Sequence, residues 1–108
     1  MALSPQEIFE VKIPERLQKR AEKIATINTI YQFDITGDNG GQWVVDLTQA
    51  GGVVSAGTNP AAKCTVTMDS AKFSDLIEGK LNPQMAFITG KLKVKGDMGL
   101  ALKLGSIL

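Results

Sequence analysis

The sequence predicts an α+β domain, a five-stranded and mostly antiparallel sheet covered on one face by helices. Three observations predict it. Apolar residues follow helical spacing at the start of the chain, alternate from Tyr31 to Met68, return to helical spacing at Phe73, and alternate again at Leu92 and Val94. Long runs of one element type, rather than strict strand–helix alternation, separate this class from doubly wound α/β folds. The chain has 108 residues, of which 44 % are hydrophobic and 21 % charged, enough for one core and too apolar for a disordered segment. Residues 1–108 read as one domain, with no linker and no internal repeat.

The first helix opens at "SPQE". Ser4 suits the N-cap, Pro5 the first helical position, and Glu7 the third residue of a capping box. Ile8 and Val11 are expected on its inner face. Pro14 has no N–H and should kink or restart the helix. Leu17, Ala21 and Ile24 then continue the inner face, with Arg16, Lys19, Arg20 and Lys23 in water.

Four strands are expected next, as an antiparallel meander. Tyr31, Phe33 and Ile35 alternate with polar residues, and "GDNGG" (Gly37–Gly41) turns the chain back. Trp43, Val45 and Leu47 mark the return strand, with Asp46 in water. "VVSAG" follows the turn "QAGG", and "CTVTMD" points Cys64, Val66 and Met68 inward. Asp69 or Ser70 can cap a helix bearing Phe73, Leu76 and Ile77, which Gly79 can stop. Asn82-Pro83 starts a shorter helix with Met85, Phe87 and Ile88, ended by Gly90. "KLKVK" is the fifth strand, with Leu92 and Val94 inward. A last helix carries Met98, Leu100, Ala101, Leu102, Leu104, Ile107 and Leu108.

Composition excludes several chemistries. The chain has no histidine, which removes Ser-His-Asp and Cys-His sites and most zinc constellations. No glycine-rich run matches a phosphate-binding pattern. Asp46 and Asp69 are the carboxylates a hydrolase or isomerase would have to use, but a wet strand position and a helix cap explain them better. No catalytic residue, metal site or cofactor is therefore expected. The single cysteine, Cys64, forbids an internal disulfide and reads as a small buried hydrophobe. Net charge is +1, which offers no field for nucleic acid. From Lys80 onward, however, Lys80, Lys91, Lys93, Lys95 and Lys103 face one acid, Asp97. No secretory leader and no membrane span are expected.

The apolar residues that strands and helices offer one another would by default interdigitate as a core, and two details point to something more. Short, Gly- and Pro-punctuated helices suit a mobile cover. The last helix is apolar on more than one side. An apolar cavity, a dimer interface or a membrane surface would each account for this.

Four stretches, "WVVDL" (Trp43–Leu47), "AAKCTVTMD" (Ala61–Asp69), "GKLNPQMAF" (Gly79–Phe87) and "GKLKVKGDMGLALKL" (Gly90–Leu104), are similar to the sterol carrier protein 2 domain, also called the non-specific lipid-transfer protein. The resemblance runs from the first helix to the end. It implies a non-catalytic domain with an apolar tunnel between sheet and helices that binds fatty acids, acyl-CoA, phospholipids and sterols and carries them between membranes. By the same resemblance the tunnel is lined by Phe33, Trp43, Phe73, Leu76, Ile77, Met85, Phe87 and Ile88, with Met98, Leu100, Leu102, Leu104, Ile107 and Leu108. Pro83 and Gln84 fall near its mouth. The five lysines are candidate contacts for anionic lipid headgroups or membrane surfaces. The alternative is an accessory docking, dimerisation or substrate-presenting module of a fatty-acid-metabolising enzyme. A monomer in the cytoplasm is expected, with a dimer as the variant. Family members commonly end in the peroxisomal address Ser-Lys-Leu; Ser106-Ile107-Leu108 lacks its cation, so peroxisomal import is not expected.

Overall fold

The computed structural model describes residues 4–37, 40–49, 52–97, 99–100 and 103. The chain begins as expected. The Ser4 hydroxyl accepts a hydrogen bond from the Glu7 N–H at 3.2 Å, with Pro5 opening α1 (Pro5–Glu7). A π-helical turn, Ile8–Lys12, follows and runs directly into α2 (Ile13–Lys19). Its wider loop is closed by the Ile13 N–H on the Ile8 carbonyl. Pro14 can donate to no carbonyl of the turn before it, and one extra residue per turn accommodates that loss without a break. The turn also rotates the helix. Ile8, Phe9 and Ile13 become the buried face, while Val11 is 51 % exposed, contrary to its expected inward place.

The chain bends again at Arg20 (φ −119°, ψ 25°), separating α2 from α3 (Ala21–Ile27). Leu17 and Ile24 are buried on either side of the bend, whereas Ala21 is exposed. Arg16 is not a purely wet residue. Its guanidinium donates to the Ile77 carbonyl at 2.8 Å and ties α2 to the helix after the fourth strand.

The sheet contains β1 (Ile30–Thr36), β2 (Gly41–Asp46), β3 (Val53–Ala56), β4 (Cys64–Asp69) and β5 (Leu92–Gly96), in the order β3-β2-β1-β4-β5. Three of its pairings are antiparallel: β1 with β2, β2 with β3, and β4 with β5. The meander stops after three strands. β4 does not pair with β3 but crosses to the far side of β1 and runs parallel to it, with Tyr31 opposite Cys64 and Ile35 opposite Met68. Alternation of apolar residues fixes which face a side chain takes, not which strand lies beside it. That is why the pattern of "CTVTMD" is the same in either topology.

The crossover, residues 57–63, lies over the sheet face opposite the helices. Gln32 of β1 reaches it twice: its amide nitrogen donates to the Gly57 carbonyl at 3.1 Å, and its amide oxygen accepts from the Asn59 N–H at 3.0 Å. Gln32 and Val44 are consequently buried on a face expected to be wet. At the far end Gly96 (φ 107°) passes so close to the Lys63 carbonyl that no Cβ would fit.

α4 (Ser70–Ile77) starts at Asp69, whose carboxylate accepts from the Ala71 N–H at 3.0 Å. It packs on β1 and β4 through Phe73, Leu76 and Ile77. α5 (Pro83–Ile88) starts at Asn82, whose side-chain oxygen accepts from Gln84 and Met85. It packs against β5.

Candidate functional site

Four aromatic rings meet where the π-helical turn crosses the sheet. Phe9 is their hub. It stacks on Trp43 with centroids 5.0 Å apart and planes 11° apart, stacks on Phe73 at 5.1 Å, and meets Phe33 edge-on at 5.3 Å. The sequence places Phe33 and Trp43 there by strand alternation and Phe73 by helical spacing. Phe9 is the residue that sequence reasoning misses, because uniform helical spacing from Ile8 selects Val11. The adjacent apolar pair Ile8-Phe9 ahead of a proline was the available signal.

Beside this cluster a groove of about 440 Å³ opens between the π-helical turn and edge strand β3, lined by Phe9, Glu10, Pro14, Trp43 and the stretch Gly52–Ala56. The Trp43 indole N–H is buried and has no hydrogen-bond partner. A smaller cavity of about 140 Å³ lies between α3 and the end of β2, next to Ile24 and Leu47.

The structure divides the expected tunnel lining. Phe33, Phe73, Leu76 and Ile77 are buried between helices and sheet, and Trp43 is half-buried at the edge of that layer. Met85, Phe87 and Ile88 are exposed by 53, 39 and 74 %, and Gln84 is exposed as well. Ala86, fully buried, is the α5 residue that meets the core. Pro83 occupies the first turn of α5. Leu100 is half-buried against the core. Met98, Ala101, Leu102, Leu104, Ile107 and Leu108 lie outside the described residues. Lys80, Lys91, Lys93, Lys95 and Lys103 are all exposed, and the Lys80 ammonium sits 3.4 Å from the Glu78 carboxylate.

The carboxylates weighed for catalysis are engaged locally. Asp69 caps α4. The Asp46 carboxyl is held below its usual range, chiefly by the Thr48 hydroxyl and then by Gln49 and the Thr48 N–H. Cys64 is a fully buried free thiol, which burial, and then the Asp97 charge, push up to about 11. Among the described residues no group of three Cys, Asp or Glu side chains could hold a metal ion, and no helix is long and apolar enough to cross a membrane.

The chain is similar to hydroxysteroid dehydrogenase-like protein 2 of Xenopus tropicalis, with 48 % identity over 88 residues, covering 81 % of this chain and 21 % of that protein. It is 39 % identical over 100 residues to sterol carrier protein 2 of Homo sapiens, covering 89 % of this chain and 18 % of that protein. The chain thus spans about a fifth of the length of these curated relatives. Among solved structures it superposes on apo sterol carrier protein 2 of Yarrowia lipolytica with a TM-score of 0.71 and 33 % identity, covering 94 % of this chain and 80 % of that one. Against palmitated SCP2L2 of Aedes aegypti the TM-score is 0.72 at 26 % identity, covering 97 and 94 %. The model of the SCP-2 sterol transfer family matches residues 11–108. On that match, and with the same five-stranded sheet and helical cover, the chain belongs to the SCP-2 sterol transfer family.

Proposed function

We propose that the chain binds a lipid by its acyl or sterol body between helix layer and sheet and carries it between membranes without catalysis. The observation that carries the reading is the groove beside Phe9 and Trp43. Its volume of about 440 Å³ lies in the range typical of small-molecule sites. It opens to solvent and reaches Phe9 and Trp43, and Phe9 in turn packs on Phe33 and Phe73. The palmitate named for the Aedes aegypti relative is a ligand of the same class.

Binding of this kind rests on apolar burial. Each methylene removed from water contributes about 0.8 kcal/mol, and methylenes are alike, so fatty acids, acyl-CoA, phospholipids and sterols compete with modest discrimination. The Trp43 N–H is the one buried side-chain donor without a partner among the described residues and offers a hydrogen bond to a carbonyl or carboxylate that reaches it. Lys103 and the lysines near α5 meet headgroup phosphate. Trp43 is also the only tryptophan, so its emission reports directly on the groove. Titration with a fatty acid should give a saturable emission change, and native mass spectrometry should show one ligand per chain. No saturable change and no retained lipid would overturn the reading.

A second reading is favoured by the match to hydroxysteroid dehydrogenase-like protein 2, of which the chain spans 21 %. There the same domain would present a lipid substrate to an attached enzyme. Sedimentation of the delipidated chain separates pure docking from carriage: a tight dimer without lipid uptake supports docking.

A further inference from the structure

The groove beside Phe9 and Trp43 has a one-sided electrostatic lining. Among the described residues Glu10, from the π-helical turn, is its one charged residue; the rest of the wall is Phe9, Pro14, Trp43 and the stretch Gly52–Ala56. Gln6, one turn earlier, donates to a Glu10 carboxylate oxygen at 3.4 Å, and no described cation pairs with that carboxylate. The lysines of β5 lie at the far edge of the sheet, because the strand order runs from β3 at the groove to β5. A ligand head held in the groove therefore meets a negative charge and no positive one.

The uncharged hydrogen-bonding groups there are of both kinds. The buried Trp43 N–H is a donor without a partner. Gly41 leaves space beside it: a Cβ on Gly41 would lie 3.6 Å from the indole nitrogen. Edge strand β3 adds backbone groups. The Leu47 N–H donates to the Thr29 carbonyl and the Gly57 N–H to the Gln42 carbonyl. Antiparallel pairing alternates, so Trp43 and Val45 bond toward β1, and Gln42, Val44 and Asp46 bond toward β3. Val53 and Ser55 are the partners of Asp46 and Val44, which leaves Val54 and Ala56 to turn both N–H and C=O to the open edge beside the groove.

A hydroxyl uses both kinds of group at once, accepting from an N–H and donating to a carbonyl or to Glu10. A carboxylate only accepts. It can take the Trp43 hydrogen bond, but it leaves water with no cation to replace its hydration and comes toward a like charge. We infer that Glu10 makes the groove select lipids by head charge, preferring an uncharged head that carries a hydroxyl over a carboxylate on a chain of the same length. This rests on the lipid-carrier reading and assigns it a specificity-determining residue.

The test compares dodecanol with dodecanoate on the full chain at neutral pH, read by Trp43 emission and by native mass spectrometry. An alcohol leaves water more readily than a carboxylate at any apolar site, so the readout is how the ratio of the two affinities moves with the side chain at position 10. The parent should hold dodecanol at least about tenfold more tightly than dodecanoate. Glu10→Gln should lower that ratio about threefold, and Glu10→Lys about tenfold. Glu22→Gln, on α3 and not in the groove lining, should leave the ratio unchanged and controls for net charge. Both positions are exposed, so all three variants should melt like the parent. A ratio that Glu10→Lys does not move, or that Glu22→Gln moves as far as Glu10→Gln, overturns the inference while the carrier reading stands. Uptake of neither lipid removes both.

Discussion

The Tyr31 hydroxyl donates to the Leu100 carbonyl across 2.6 Å, joining residues 69 positions apart. Tyr31 sits in β1 at the middle of the sheet and is fully buried. Replacing it with phenylalanine keeps the ring packing and removes the hydroxyl that donates to Leu100. Tyr31→Phe should therefore cost about 1–2 kcal/mol, the penalty for leaving a partly buried carbonyl without its donor. Urea denaturation checks this: the midpoint falls while the slope is unchanged.

Tyr31 lies opposite Cys64 in the β1–β4 register, and burial raises both of their pKa values. For Cys64 the rise is from 9.0 to about 11. An unfolded chain loses the thiol proton at the lower value, and the folded one holds it to the higher. Between them the unfolded state binds fewer protons, so stability falls as pH rises. The denaturation midpoint should lose this contribution progressively from 9.0 to about 11, and the buried phenol of Tyr31, raised from 10.0, adds to the loss from 10.0 upward. Cys64→Ala should flatten the first part of the fall. A thiol reagent at neutral pH should leave native Cys64 untouched and label it on unfolding.

The π-helical turn can be tested by two substitutions that uniform helical spacing ranks the other way. Phe9→Ala removes the hub of the aromatic cluster and should cost about 3–5 kcal/mol. Val11→Ala removes a side chain that is 51 % exposed and should stay within about 0.5 kcal/mol. Equal losses at the two positions would refute the rotated helix face.

The caps at Ser4, Asp69 and Asn82 were legible because they are local: a side-chain oxygen meets an N–H two or three residues on. The inward faces of β1, β2 and β4 were legible because a period of two admits only two faces. The neighbour of β4 was not, since its choice depends on the path of residues 57–63 across β1. Phe9 was hidden by a change of helical period. Of the expected lining, Phe33 and Phe73 have the burial that their spacing implies. α5 reads as an inward stripe because "MAFI" is apolar throughout, and spacing alone does not reveal that only Ala86 finds room against the core.

The parallel pairing of β1 with β4 also sets an order on biosynthesis. A nascent chain that has emerged through Ala56 can form the three-stranded meander, yet one edge of β1 stays open until Cys64–Asp69 follows. An open edge is a row of unpaired N–H and C=O groups that accepts a strand from another molecule. A chain halted before Cys64 is thus a self-association hazard, and a ribosome that delivers β4 promptly closes the edge with the protein's own strand.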